Sequence, residues 1–225
     1  MDLLRHLWKG IFSLIRNNLK PKFYSNHRTR NRIRNDSFNE KELFSQAQEA
    51  LKQRRKIFLE VGFGDGKSVI DIANKNPRVS FFCIETYSKG VNLLTERIQD
   101  ERLNNIFMLY GDAIEIIEKL FNNKTIDKIY VFFPDTWPKR KHKKRRIINT
   151  YTVNLFFMKL KKNGVFHFTT DNINYAYETR TLISNYFSTK KKVSFSHNRG
   201  DRPITKYEKK ALIKKNIIYD LIISN

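Results

Sequence analysis

Between residues 38 and 170 the hydrophobic pattern switches repeatedly between two rhythms. IFLEV (57 to 61), VSFFCI (79 to 84), IFMLY (106 to 110), KIYVFF (128 to 133) and GVFHFTT (164 to 170) are short runs rich in β-branched and aromatic residues. Such runs predict buried strands. FNEKELFSQAQEALKQRR precedes the first run, and KSVIDIANKN, SKGVNLLTERIQDERL and AIEIIEKLF separate the next ones. Their apolar positions recur every three or four residues, which predicts helices with one buried face. Strands alternating with helices predict an α/β fold: a Rossmann-like, doubly wound, mostly parallel sheet covered on both faces. KKVSFSH and NIIYDLIIS follow with too little chain between them for full crossovers, so an antiparallel hairpin is expected at one edge.

The first 37 residues have a different texture. Leu4, Leu7, Trp8, Ile11, Leu14, Ile15 and Leu19 recur helically, with Arg5, Lys9, Arg16 and Lys20 between them. This predicts an amphipathic helix, packed on the domain or bound to a membrane surface or partner. It lacks the uninterrupted apolar core and cleavage site of a signal peptide, while an Arg-rich transit peptide stays open. Arg28, Arg30, Arg32 and Arg34 then fall at every second position. In an extended chain they share one edge, as in an arm that orders on RNA, although a solvated charge run has the same composition. The expected organisation is an N-terminal helix and basic arm (1–37) followed by one catalytic-sized domain (38–225).

Composition narrows the partner. The 225 residues are 40% hydrophobic, enough for one α/β core, and carry a formal net charge of +22 with a pI near 10.1. That excess points to a polyanion, nucleic acid first. No stretch approaches the roughly 18 to 20 uninterrupted apolar residues of a spanning helix. The single cysteine, Cys83, sits in an apolar run and reads as a buried thiol; the five scattered histidines offer no ligand spacing, so no metal is expected.

In open α/β sheets ligands bind beyond the carboxyl ends of the strands. The first strand leads into Glu60-Val61-Gly62-Phe63-Gly64-Asp65-Gly66, the second into Glu85, the third into Gly111-Asp112, and the fourth into Pro134-Asp135. Gly62 and Gly64 permit close approach of a ligand, and Glu85 suits a ribose. The glycine spacing is G-x-G-x-G, and an acid stands where a pyrophosphate would be repelled, which argues against a nicotinamide dinucleotide. S-adenosylmethionine, a cation with sulfonium and ammonium groups, matches the acids at Glu60 and Asp135, with Asp112 for the adenine amino group. Each acid has a plainer alternative as a turn residue or helix cap, Asp112 above all.

Directly after Asp135-Thr136-Trp137-Pro138, seven of the eight residues from Lys139 to Arg146 are Lys or Arg. The acid belongs with the cofactor and the target base, the cations with a nucleic-acid backbone. Arg140, Lys143, Lys144, Arg145 and Arg146, together with the four arm arginines, form the expected RNA-docking set. Trp137 either stacks on a base or plugs the domain.

PDTWPKRKHKKRR resembles the P-D-P-W-P-K-x-R-H-x-K-R-R signature of the bacterial-type tRNA (guanine-N7)-methyltransferases. EVGFGDG, IETYSKGV, LYGDA, TTDNINYA and TKYEKKA resemble further elements of that family in the same order, covering residues 60 to 211. The departures are Thr136 for proline, Thr86-Tyr87 for Val-His, Tyr207 for Phe, and Lys210-Ala211 for Arg-Gly; the last removes an arginine able to make a bidentate contact. The resemblance implies a class I methyltransferase fold and methylation of a variable-loop guanosine of tRNA. It implies that Glu60, Glu85, Asp112 and Asp135 bind S-adenosylmethionine, with Asp135 also catalytic. It further implies that Lys139, Asp171, Thr205, Lys206, Tyr207 and Glu208 contact the substrate. A cytoplasmic monomer is expected.

Guanine N7 carries a free lone pair, so its methylation requires placement and charge stabilisation and no general base. Asp135 is expected to accept from the guanine N1 and N2 hydrogens, with Asp171 as its alternative. The rival readings are a methyltransferase for another RNA, an RNA-binding module without turnover, and a dehydrogenase.

Overall fold

The computed structural model describes residues 39–188 and 192–225. The predicted N-terminal helix and the arm carrying Arg28, Arg30, Arg32 and Arg34 lie outside the described residues. The chain runs α1 (Glu40–Lys52), β1 (Lys56–Val61), α2 (Lys67–Lys75), β2 (Val79–Glu85), α3 (Ser88–Asp100), β3 (Ile106–Tyr110), α4 (Ala113–Leu120) and β4 (Ile126–Phe132). A 3-10 helix (Arg140–Arg145), α5 (Thr150–Lys159), β5 (Leu160–Thr170), α6 (Ile173–Tyr186), α7 (Lys206–Ile213) and β6 (Tyr219–Ser224) complete it. The strand order is β3-β2-β1-β4-β5-β6, with β6 antiparallel to β5 and the other pairs parallel. The order reverses between β1 and β4, so a crevice opens at their carboxyl ends.

Two apolar layers sandwich the sheet. On one face α1, α4, α5 and α6 bury Ala47, Ile117, Phe156 and Ile183 against Leu59, Phe82, Val131 and Phe168. On the other α2 and α3 bury Val69, Ile72, Val91 and Leu94 against Phe58, Phe81, Tyr130 and Phe132. Successive strand residues alternate between these faces, and both faces are covered, which is why the strands read as near-continuous apolar runs. Among the described residues no helix is long and apolar enough to cross a membrane.

The expected antiparallel edge is present as the β5–β6 pair, with β6 supplied by NIIYDLIIS. KKVSFSH is not its partner strand: among the described residues it contributes a single bridge, Ser196 to Asp220. Phe195 is held by ring contacts to Tyr177 and Tyr219 instead, so its alternation records packing and not a ladder. The pattern also missed α5: Tyr151, Thr152, Val153, Leu155, Phe156 and Phe157 are all buried, leaving no polar face to reveal the helical period. Its start is set by an Asn149–Thr152 capping box.

Candidate active site

The first wall of the crevice is the turn after β1. Gly62 and Gly64 adopt φ of +79° and +62°, values that favour glycine, and Gly64 N–H donates to Glu85 Oε2 at 2.8 Å. Gly90 lies so near this turn that a Cβ there would collide with the Gly64 carbonyl. Thr86 and Tyr87 N–H groups donate to Glu85 Oε1 at 2.7 and 3.1 Å. Glu85 thus ties the ends of β1 and β2 together, and an ionised carboxylate retains lone pairs for a ribose hydroxyl. Burial holds its pKa above the ordinary value despite these bonds.

Glu60 is 1% exposed. Ser68 Oγ donates to its Oε1 at 2.6 Å, while Oε2 is buried without a hydrogen-bond partner. Burial, with smaller contributions from Glu85 and Asp65, pushes its pKa up to about 8. A buried acceptor with no donor, beside glycines that leave room for a ligand, fits a cofactor that brings its own ammonium group. Asp112 caps α4, its Oδ1 accepting from Ile114 N–H at 2.9 Å and Glu115 N–H at 3.1 Å, while Oδ2 takes no part in the cap.

The second wall follows β4. Phe133 and Trp137 flank Asp135 with φ of +47° and +43°, a conformation that costs a non-glycine residue about 1–3 kcal/mol. Phe133 is held there by Tyr207, stacked at 6.4 Å, and by the Arg202 guanidinium over its ring. Trp137 is held by Arg145 over its indole face at 5.0 Å and by His142 at its edge. Between the alternatives for Trp137, the indole packs on the protein's own basic helix. Asp135 opens into a cavity of about 220 Å³ lined also by Thr170, Asp171, Tyr207, Lys210 and Lys214. Partial burial raises the Asp135 pKa. Asp171 accepts from Asn216 Nδ2 at 3.0 Å.

The third wall is a strap, residues 199–205, and α7. Arg202 is buried, donating from Nε and Nη2 to the two Asp220 oxygens at 2.7 and 2.8 Å and from Nη1 to Glu208. His167 Nε2 lies 2.8 Å from Asp220, and Thr169 Oγ1 donates to it at 2.6 Å. Burial alone would raise the Asp220 pKa, but Arg202, His167 and Thr169 outweigh it and hold the carboxyl well below the ordinary range. On the other side of the strap, Asp201 accepts from Tyr130 Oη at 3.0 Å and from Lys128. This anchoring sets α7 across the crevice mouth: the Tyr207 ring lies where a Cβ on Gly64 would meet it, and Lys206 Nζ reaches Asp65 at 3.2 Å.

These walls match known proteins. Residues 54–221 match the family described as "Putative methyltransferase". A tRNA (guanine-N(7)-)-methyltransferase of Francisella philomiragia is 34% identical over 175 residues, 77% of this chain and 76% of that protein. Those of Buchnera aphidicola (from Schizaphis graminum) and Yersinia pestis are 35% and 36% identical over 76% and 74% of this chain, and 73% and 71% of theirs. The chain belongs to the tRNA (guanine-N7)-methyltransferase family. Solved structures support the fold: an antibiotic-related methyltransferase (TM-score 0.57, 14% identity, 86% of this chain and 98% of that one) and a 16S rRNA methyltransferase (0.56, 13%, 84% and 94%).

In this member of the methyltransferase family, two of the expected site residues are buried in contacts within the protein itself. Arg146 is 4% exposed and does not face solvent: its Nε donates to the Thr136 carbonyl at 2.8 Å, Nη1 pairs with Glu178, and the guanidinium covers Tyr175. These contacts brace the Asp135 loop. Glu208 is 2% exposed and faces Arg202 and Arg199, contacts that anchor α7. By contrast Lys139, Arg140, Lys143 and Lys144 are exposed, Lys143 pairing with Glu178; Arg145 is half-buried against Trp137. Thr205 caps α7, accepting from Glu208 N–H at 3.1 Å. Missed altogether were Arg202 and Asp220. An acid inside the apolar run NIIYDLIIS was the available signal, because a buried carboxylate demands a cation.

Proposed function

We propose that this chain transfers the methyl group of S-adenosylmethionine to N7 of a variable-loop guanosine in tRNA. The observation that carries the reading is one cavity in which Asp135 and Asp171 face a helix whose Tyr207 rests on the glycine turn. A base held there stands next to a cofactor held by Gly62 and Gly64. S-adenosylmethionine, when bound, supplies a methyl group on a positively charged sulfur. Glu60 receives its ammonium group, Glu85 its ribose and Asp112 its adenine.

Asp135 and Asp171 accept from the guanine N1 and N2 hydrogens, which turns N7 toward the cofactor. No residue removes a proton from N7. As positive charge moves onto the purine, the Asp135 carboxylate stabilises it, more strongly for being partly desolvated. Tyr207 covers the site and limits water. Lys139 and the exposed cations of the 3-10 helix hold the RNA backbone, with Thr205 and Lys206 at the N-terminus of α7 as a further anionic contact. If about six phosphates are engaged, affinity falls by roughly three decades between 50 and 200 mM salt. A cytoplasmic monomer goes with this reading.

The test is methyl transfer from labelled S-adenosylmethionine to an unmodified tRNA pool, followed by mapping of the labelled nucleoside. Label as 7-methylguanosine in the variable loop is expected. Label at another nucleoside, or tight tRNA binding without label, overturns the reading.

A further inference from the structure

Four residues of α7 and its cap line the cavity: Tyr207, Lys210, Ala211 and Lys214. Their spacing of three, four and seven places them on one face of the helix, turned toward the two acids after β4 and β5. The cavity is therefore polarised. One wall accepts hydrogen bonds through Asp135 and Asp171, and the opposite wall donates them through two ammonium groups. Among the described residues neither lysine is in an ion pair, whereas Lys206, on the same helix, is paired with Asp65.

Guanine is polarised in the same sense. Its N1 and N2 edge donates, and O6, lying between N1 and N7, accepts; adenine presents an amino donor in place of O6. With the N1 and N2 hydrogens on the acids and N7 toward the cofactor, O6 must face a donor near the cofactor end of α7. Tyr207 marks that end, since a Cβ on Gly64 would meet its ring. Lys210 is one turn beyond Tyr207, and Lys214 is two. We infer that Lys210 donates to guanine O6 and is the residue that selects guanine over adenine, with Lys214 left to the RNA backbone. The inference rests on the guanine reading above. Adenine would set its amino group against the ammonium and leave both acids without their donors, a mismatch of the kind that discriminates strongly.

The test pairs a residue with a base atom. tRNA transcripts carrying guanosine or 2-aminopurine, which keeps N7 and the N2 amino group but lacks O6 and the N1 hydrogen, at the methylated position are compared in single-turnover transfer by the wild type, Lys210→Met and Lys214→Met. The intrinsic reactivity of 2-aminopurine and its missing N1 hydrogen, which faces the acids, are common to all three proteins and cancel in the comparison. The wild type is expected to lose at least about tenfold to a hundredfold on 2-aminopurine, the scale of one hydrogen bond to a charged group, with the lost N1 donor adding to it in every protein. Relative to the wild type, Lys210→Met should lose about tenfold to a hundredfold on guanosine and nothing on 2-aminopurine. Lys214→Met should keep the full 2-aminopurine penalty. Losses that multiply for Lys210→Met, or a Lys210→Met rate within about twofold of wild type on guanosine, overturn the assignment. Absence of N7 methylation of the guanosine transcript by the wild type would instead mark a failure of the guanine reading itself.

Discussion

Two buried carboxylates stand at the same end of one sheet and meet opposite fates. Asp220, at the start of β6, is buried together with Arg202, and the pair satisfies itself through two parallel hydrogen bonds. Its pKa is held well below the ordinary range. Glu60, near the end of β1, is buried beside Ser68 alone, and its pKa is pushed up to about 8. A buried charge is stable only when paired. Asp220 belongs to a finished structural unit that fixes the strap and α7. Glu60 belongs to a unit that lacks a cation, which under the proposed function the cofactor's ammonium group supplies.

The largest effect comes from breaking the finished pair. Arg202→Met would leave Asp220 and Glu208 buried without their cation, at a cost of about 3–5 kcal/mol in chemical unfolding. The pH dependence is specific. A carboxyl with a depressed folded-state pKa contributes stability above its unfolded-state value and loses it as pH falls. The gap between wild type and Arg202→Met should therefore narrow on acidification. A gap that widens would mean that the Asp220–Arg202 pair is not what stabilises the strap.

A third carboxylate sharpens the contrast on the catalytic side. Asp135 is exposed at the cavity, its pKa raised by partial burial. Asp135→Asn should lower kcat by about a hundredfold to a thousandfold, as for loss of one preorganised charge-stabilising group, with tRNA affinity within about threefold. Because its pKa is raised, activity should rise with pH along an acidic limb lying above the ordinary aspartate range, and that limb should vanish in the asparagine variant. Equal losses in turnover and tRNA affinity would contradict the role.

Glu60→Gln removes the unpaired acid itself. Cofactor affinity should fall about tenfold to a hundredfold, the scale of a hydrogen bond to a charged group. Stability should move the other way. A carboxyl whose folded pKa is raised loses its stabilising contribution as pH climbs from the unfolded value toward about 8. The variant should therefore match the wild type near pH 4, below the unfolded-state value, and exceed it near pH 8, read as the thermal midpoint. The smallest effect belongs to an exposed pair: Lys206→Ala, which removes the contact to Asp65, should cost under about 1 kcal/mol of stability.

How much of this was legible in the sequence depended on the range of the interaction that decides each feature. Strands β1 to β5, the glycine turn and the acids after the strands are local patterns, and the structure places them as the spacing implied. Arg146 is indistinguishable in sequence from its six cationic neighbours; its burial is set by Glu178, 32 residues away, and by Tyr175. Glu208 sits in a motif that reads as one contact surface, but a helix turns successive residues to different sides, so Tyr207 meets the cavity while Glu208 meets Arg202. Helix α5 is buried on nearly all sides and so shows no period. The cavity face of α7 was hidden because Lys210 and Ala211 were visible only as departures from a family pattern.

The contrast between the two acids has one direct test: calorimetric titration of S-adenosylmethionine near pH 7 in buffers of different ionisation enthalpy, for the wild type and Glu60→Gln. Glu60 is mostly protonated before binding and must ionise to pair with the incoming ammonium group. The wild type should release about one proton more per cofactor bound than the variant. Equal proton counts for the two proteins would mean that Glu60 does not receive the cofactor's charge, and the reading of the β1 turn as an unfinished cation site would fall.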